Sequence, residues 1–85
     1  MSPKNPFLTW RHAHNLTQTE AALVLNTSVG IVYTLEHAIN AVIPAKVGAA
    51  LRQILTPEEE LAFVRAYYEH RREARQALKS RVKTR

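Results

Sequence analysis

Apolar residues recur at helical spacing in five blocks, set apart by polar or proline-marked breaks, and nowhere alternate with the two-residue rhythm of a strand. Asn5-Pro6 joins an N-cap residue to a proline at the first helical position, so a first helix opens there and runs to about His14. Its apolar residues Phe7 and Trp10 lie three apart, and Asn15 ends it. Thr17-Gln18-Thr19-Glu20 has the form of a capping box, which starts a second helix reaching about Leu25. Asn26-Thr27-Ser28 leaves room only for a tight turn: Asn26 suits the left-handed conformation of a C-cap, and Ser28 suits an N-cap. A third helix, about Ser28 to His37, carries Val32 and Leu35 on one face. After a loop rich in Ala, Ile and Asn, Pro44 opens a fourth helix, in which Val47, Ala50, Leu51 and Ile54 form a stripe packed on one side. Thr56-Pro57-Glu58-Glu59 then supplies a cap, a first-turn proline and carboxylates at the positive end of a helix dipole, so a fifth helix begins there.

That fifth helix divides into two parts. Leu61, Phe63, Val64, Tyr67 and Tyr68 crowd its first half, and at this spacing the aromatic residues read as core. Beyond His70 only Ala74, Ala77, Leu78 and Val82 interrupt the charge, so the second half reads as a solvated helix fraying towards Lys83-Thr84-Arg85. On the second helix, Ala21, Ala22 and Leu25 define the buried side, which turns Leu23 outward and Val24 to a flank. Either the fifth helix folding back or a second copy of the chain is expected to cover them.

Composition narrows the class. With 85 residues there is room for one core and one domain, and the absence of cysteine removes disulfides and thiolate metal sites as sources of stability. No apolar run is long enough for a membrane span, and Met1-Ser2-Pro3-Lys4-Asn5 lacks a signal-peptide apolar region, so the expectation is a soluble cytoplasmic protein. The net charge of +5 is unevenly placed: residues 70–85 hold seven cations against one carboxylate, a net +6, which leaves −1 for everything before them. Bulk attraction to a polyanion therefore resides in the C-terminal stretch, and the body must bind through placed contacts.

Two short helices joined by a tight turn, the first capped and the second with an uncluttered outer face, follow the plan of a helix-turn-helix. The residue pattern is more specific. Leu16-Thr17-Gln18-Thr19-Glu20-Ala21-Ala22, Leu25-Asn26-Thr27-Ser28, Val32, Leu35-Glu36 and Ile43-Pro44 together resemble the Xre or lambda-repressor-like family of DNA-binding domains, over roughly the first two thirds of the chain. The resemblance implies an all-α, five-helix lambda-repressor-like domain over residues 1–69, with its motif at 16–37 and residues 70–85 as a basic helical extension. It also implies binding to double-stranded DNA as a homodimer, transcriptional regulation by repression, and a bacterial or phage origin with a nucleoid location. In that family the glutamine matching Gln18 binds a phosphate and buttresses the reading helix, and the arginine matching Arg11 pairs with the glutamate matching Glu36.

The residues supply their own reasons for such docking. Thr17, Gln18 and Ser28 sit at helix N-termini, where backbone N–H groups can receive a phosphate. With Val32 and Leu35 buried, Gly30, Tyr33, Thr34 and His37 point to the opposite side, Val29 lies at its edge, and Asn40 follows in the loop. Val29 can touch a thymine methyl, Gly30 permits close approach, and Tyr33, Thr34 and His37 offer single hydrogen bonds. Family members usually carry Gln, Arg, Lys, Ser or Asn at several of these positions. This face lacks Lys and Arg, so a second use stays open: the same helices gripping a protein partner.

For the extension, Arg71, Arg72, Arg75, Lys79, Arg81 and Lys83 form either a solvated, salt-bridged surface or an arm tracking phosphates without sequence preference. No aromatic residue interleaves with them to stack on unpaired bases, which favours duplex DNA over RNA. His12 and His14 are two apart on a helix and point away from each other, and Glu58, Glu59 and Glu60 are explained by the dipole. With no phosphate-binding glycine loop and no serine beside an evident base, neither catalysis, a metal, a cofactor nor a small-molecule substrate is expected.

Overall fold

The computed structural model describes residues 5–83 and is all-helical over them, with α1 (Pro6–Ala13), α2 (Gln18–Val24), α3 (Val29–Glu36), α4 (Ala45–Ile54) and α5 (Pro57–Lys83). Side-chain caps start four of the five. Asn5 Oδ1 accepts the N–H of Phe7 at 2.9 Å and of Leu8 at 3.4 Å. Thr17 and Glu20 complete a reciprocal capping box, and Thr56 and Glu59 form a second one at the start of α5. Ser28 Oγ accepts the N–H of Ile31 at 3.3 Å. Pro44 stands just outside α4, which begins without a side-chain cap.

Three non-glycine residues take positive φ where helices end: Asn15 and Asn26 at 56° and Ala38 at 57°. Asparagine enters this region readily, whereas Cβ sterics make it costly for alanine. The geometry at Ala38 is imposed by the bonds around it, since its N–H reaches the Leu35 carbonyl and the Ile39 N–H reaches the Thr34 carbonyl.

The core has two parts. In the larger, the Phe7 ring meets Phe63 and Tyr67 edge-on, at centroid separations of 4.8 and 5.5 Å, among Leu25, Leu35, Val47, Ala50 and Leu51. The smaller joins Ala21 and Ala22 of α2 to Val32 of α3, and the small side chains let these two helices approach closely. Trp10 packs against both parts and links them.

Two apolar expectations need correction, and one of the two covers considered for Leu23 and Val24 is removed. Ile54 lies beyond the buried stretch of its stripe and is 42% exposed. Leu61 is also exposed, because the part of α5 that enters the core runs through Phe63 and Tyr67. α5 packs on α1 and α4 rather than folding back over α2, which leaves Leu23 78% exposed and Val24 43% exposed. The 27 residues of α5 make a rod of about 40 Å, close to the 45 Å long axis of the molecule. Among the described residues, no helix is long and apolar enough to cross a membrane.

Replacing Ala38 by glycine removes the Cβ clash while keeping every hydrogen bond. Chemical denaturation of Ala38→Gly should show a gain of about 1 kcal/mol, with an unchanged denaturant slope.

Candidate nucleic-acid interface

The α2–turn–α3 unit is built around a buried carboxylate. The Glu36 side chain is only 3% exposed, and its Oε2 pairs with Arg11 Nε at 2.5 Å. Its Oε1 accepts from a second Arg11 nitrogen at 3.1 Å and from Gln18 Nε2 at 3.0 Å. Arg11 also donates to the Leu16 carbonyl at 3.1 Å, so one guanidinium ties α1 to the entry of α2 and to the end of α3. Burial alone would push the Glu36 carboxyl upward. Hydrogen bonds from Arg11 and Gln18, with the charges of Arg11 and His12, outweigh burial and hold it below the usual carboxylate range. Arg11 moves the other way, raised by its hydrogen bond to Glu36.

Asn5 adds a contact that its sequence position does not reveal. Besides capping α1, its Nδ2 donates to the carbonyls of Leu35 at 2.8 Å and Glu36 at 3.0 Å. The only local signal is that Asn, unlike Asp, carries donors as well as an acceptor, on separate atoms where Ser has a single hydroxyl.

The turn from α2 to α3 is closed by backbone bonds. Thr27 N–H reaches the Ala22 carbonyl at 2.9 Å, and left-handed Asn26 directs its N–H to the Leu23 carbonyl. From this base α3 presents Val29, Gly30, Tyr33 and His37 to solvent. Thr34 does not join them fully: it is half-buried and its hydroxyl donates to the Ile31 carbonyl at 2.9 Å. Gln18 is likewise half-buried, with its amide turned to Glu36 rather than outward. Thr17 and Ser28 are exposed, their hydroxyls serving as caps.

Tyr33 and His37 stack with centroids 4.1 Å apart and planes 28° from parallel. His37 Nδ1 lies 2.9 Å from the Tyr33 carbonyl. A carbonyl can only accept, so Nδ1 carries the proton, and in the neutral ring Nε2 is left as an acceptor.

The loop after α3 is held by α5. Tyr67 donates its hydroxyl to the Asn40 carbonyl at 2.6 Å, and burial pushes that hydroxyl up, which keeps it a donor. Tyr68 Oη accepts the Ile43 N–H at 3.1 Å. Asn40 itself is half-buried, and its side-chain oxygen is buried without a partner among the described residues. Farther along α5, Arg72, Arg75, Lys79 and Arg81 are exposed and Arg71 is half-buried, while the side chain of Lys83 lies outside the described residues, as do Thr84 and Arg85. The tyrosine contacts join residues 25 to 27 apart, a separation at which local pattern carries no signal.

No family model matches the chain. No curated protein and no solved structure matches it either.

Two measurements test this geometry. A carboxyl held low when folded stabilises the fold above the ordinary carboxylate range, and that contribution is lost as pH falls through the lowered value. Wild-type stability should therefore drop on acidification below about pH 5, and Glu36→Gln, less stable at neutral pH, should show a shallower drop. Nitrogen-15 shifts of neutral His37 should report the Nδ1–H form, and the Nε2–H form would contradict the assigned bond.

Proposed function

We propose that the chain is a sequence-reading duplex-DNA-binding protein with a lambda-repressor-like arrangement of helices, acting as a transcriptional repressor by occupying its site. The observation that carries this reading is the Arg11–Glu36–Gln18 network, which fixes α3 on α2 while Val29, Gly30, Tyr33 and His37 stay exposed to solvent. A helix held rigidly from behind, with its outer residues uncommitted, is what insertion into a major groove requires. The exposed N-termini of α2 and α3 add backbone N–H groups for phosphates on either side.

Gly30 supports the same reading. A Cβ there would meet only Ser28 Oγ, at 3.9 Å, so nothing among the described residues requires glycine. Glycine inside a helix costs roughly 0.5–1 kcal/mol relative to alanine. A surface approaching α3 closely gives that cost a purpose. His37 adds a base preference: with Nε2 as an acceptor, it matches the major-groove amino group of adenine or cytosine.

A second copy of the chain is the partner we propose for the uncovered α2 flank, since Val24 lines a groove with exposed Ile54 and its neighbour Leu23 is exposed, and two-fold pairing would present two reading helices to two half-sites. The same uncovered flank favours the second reading, a helix-turn-helix that grips another protein.

The test is fluorescence anisotropy with duplex DNA from upstream of the protein's own coding sequence and with a scrambled duplex, at two salt concentrations. Preference for the native duplex that persists at the higher salt is expected. Gly30→Ala should raise stability by about 0.5–1 kcal/mol yet weaken native-duplex binding, and Tyr33→Ala should weaken it without unfolding the protein. Unchanged affinity in both folded variants would remove the docking assignment in favour of a protein partner.

A further inference from the structure

Most cations of α5 share one side. At about 100° per residue, Arg65, Arg71, Arg72, Arg75 and Lys79 fall within roughly 120° of arc, while Arg81 and the carboxylates Glu69 and Glu73 lie outside it. Arg71, Arg75 and Lys79 follow each other at intervals of four, forming a ridge with a step of about 6 Å. Like charges so placed repel one another, so the arrangement works against the helix that carries it. Salt bridging does not offset this: among the described residues, Arg71, Arg72, Arg75 and Lys79 make no ion pair. Arg71 Nε is buried and has no hydrogen-bond acceptor among the described residues.

The ridge also has a direction. Tyr68, which holds the Ile43 N–H, falls within the same arc, and Tyr67, which holds the Asn40 carbonyl, lies about 40° outside it on the Arg71 side. From Arg71 on, the cations therefore continue along the side of α5 on which Tyr68 meets the loop after α3, starting one turn beyond that contact. Beyond Tyr68 the apolar residues beside and among them are few, Ala74, Leu78 and Val82 with no aromatic ring, which is poor material for lying in a lipid interface.

We propose that this ridge is a second docking surface, for the sugar-phosphate backbone of duplex nucleic acid. It takes the phosphates flanking the segment met by α3 and adds affinity without adding sequence preference. The proposal rests on the helix-turn-helix reading for the direction in which the duplex arrives, and its charge pattern can be tested apart from that reading.

Two variants change net charge equally. Arg75→Gln with Lys79→Gln removes two ridge cations, and Ala77→Glu with Ser80→Glu adds two carboxylates outside the arc, with helicity checked by circular dichroism. Binding of a scrambled duplex is followed by anisotropy across a salt series. The ridge variant should lose about tenfold or more in affinity at low salt, and its salt slope should shrink by up to about 1.8, at roughly 0.9 per phosphate contact. The off-ridge variant should keep the wild-type slope.

Equal losses in the two variants would overturn the proposal in favour of bulk charge. So would an unchanged slope in the ridge variant, or binding to phosphatidylglycerol vesicles in place of duplex. If native and scrambled duplexes bind alike while the ridge variant alone loses slope, sequence reading fails and the ridge stands. If native preference survives while the slope is untouched, the reverse holds.

Discussion

The buried carboxylate of Glu36 is the constraint around which the domain is arranged. A charge with 3% side-chain exposure persists in the interior only when its oxygens are occupied, and here Arg11 and Gln18 occupy them from two other helices. Asn5 secures the backbone at the same point. Three helices are thus registered by directional bonds, where apolar packing between Ala21, Ala22 and Val32 alone would tolerate sliding. The orientation of α3 follows from this network, and so does the set of residues it turns to solvent.

The aromatic core has a different task. Phe7, Phe63 and Tyr67 attach the first half of α5 to α1 and α4, and the two tyrosine hydroxyls then reach out of that core to the loop after α3. α5 is therefore anchored at one end by rings and is solvent-facing at the other, so one continuous helix serves both as a core element and as a projecting charged rod.

What could be read from sequence is what is locally encoded. Asn5-Pro6, Thr17 with Glu20, and Thr56 with Pro57 announce helix starts because a cap and its partner lie within four residues, and Val32 with Leu35 announce the buried face of α3 by spacing alone. Contacts between distant positions were not legible in that way. The hydrogen bond of Tyr67 to Asn40 and the second role of Asn5 depend on chain crossings that no local window spans. The Arg11–Glu36 pair, 25 residues apart, was suggested only by family resemblance. Thr34 misled because periodicity gives the direction of a side chain and not the destination of its hydroxyl, and Ala38 gives no hint of a left-handed turn. The exposure of Leu23 follows from the path of α5, which residue pattern did not fix.

The separation between what holds α3 and what α3 displays bears on how such a domain can change over time. Glu36, Leu35 and Val32 bind the helix to the body, whereas Val29, Gly30 and Tyr33 contribute little to packing. Substitution at the displayed positions therefore meets little resistance from folding, and new surface chemistry can be explored there without first acquiring compensating changes in the core. The loop at Asn40 lacks that freedom, because the side chain that holds it also closes the core.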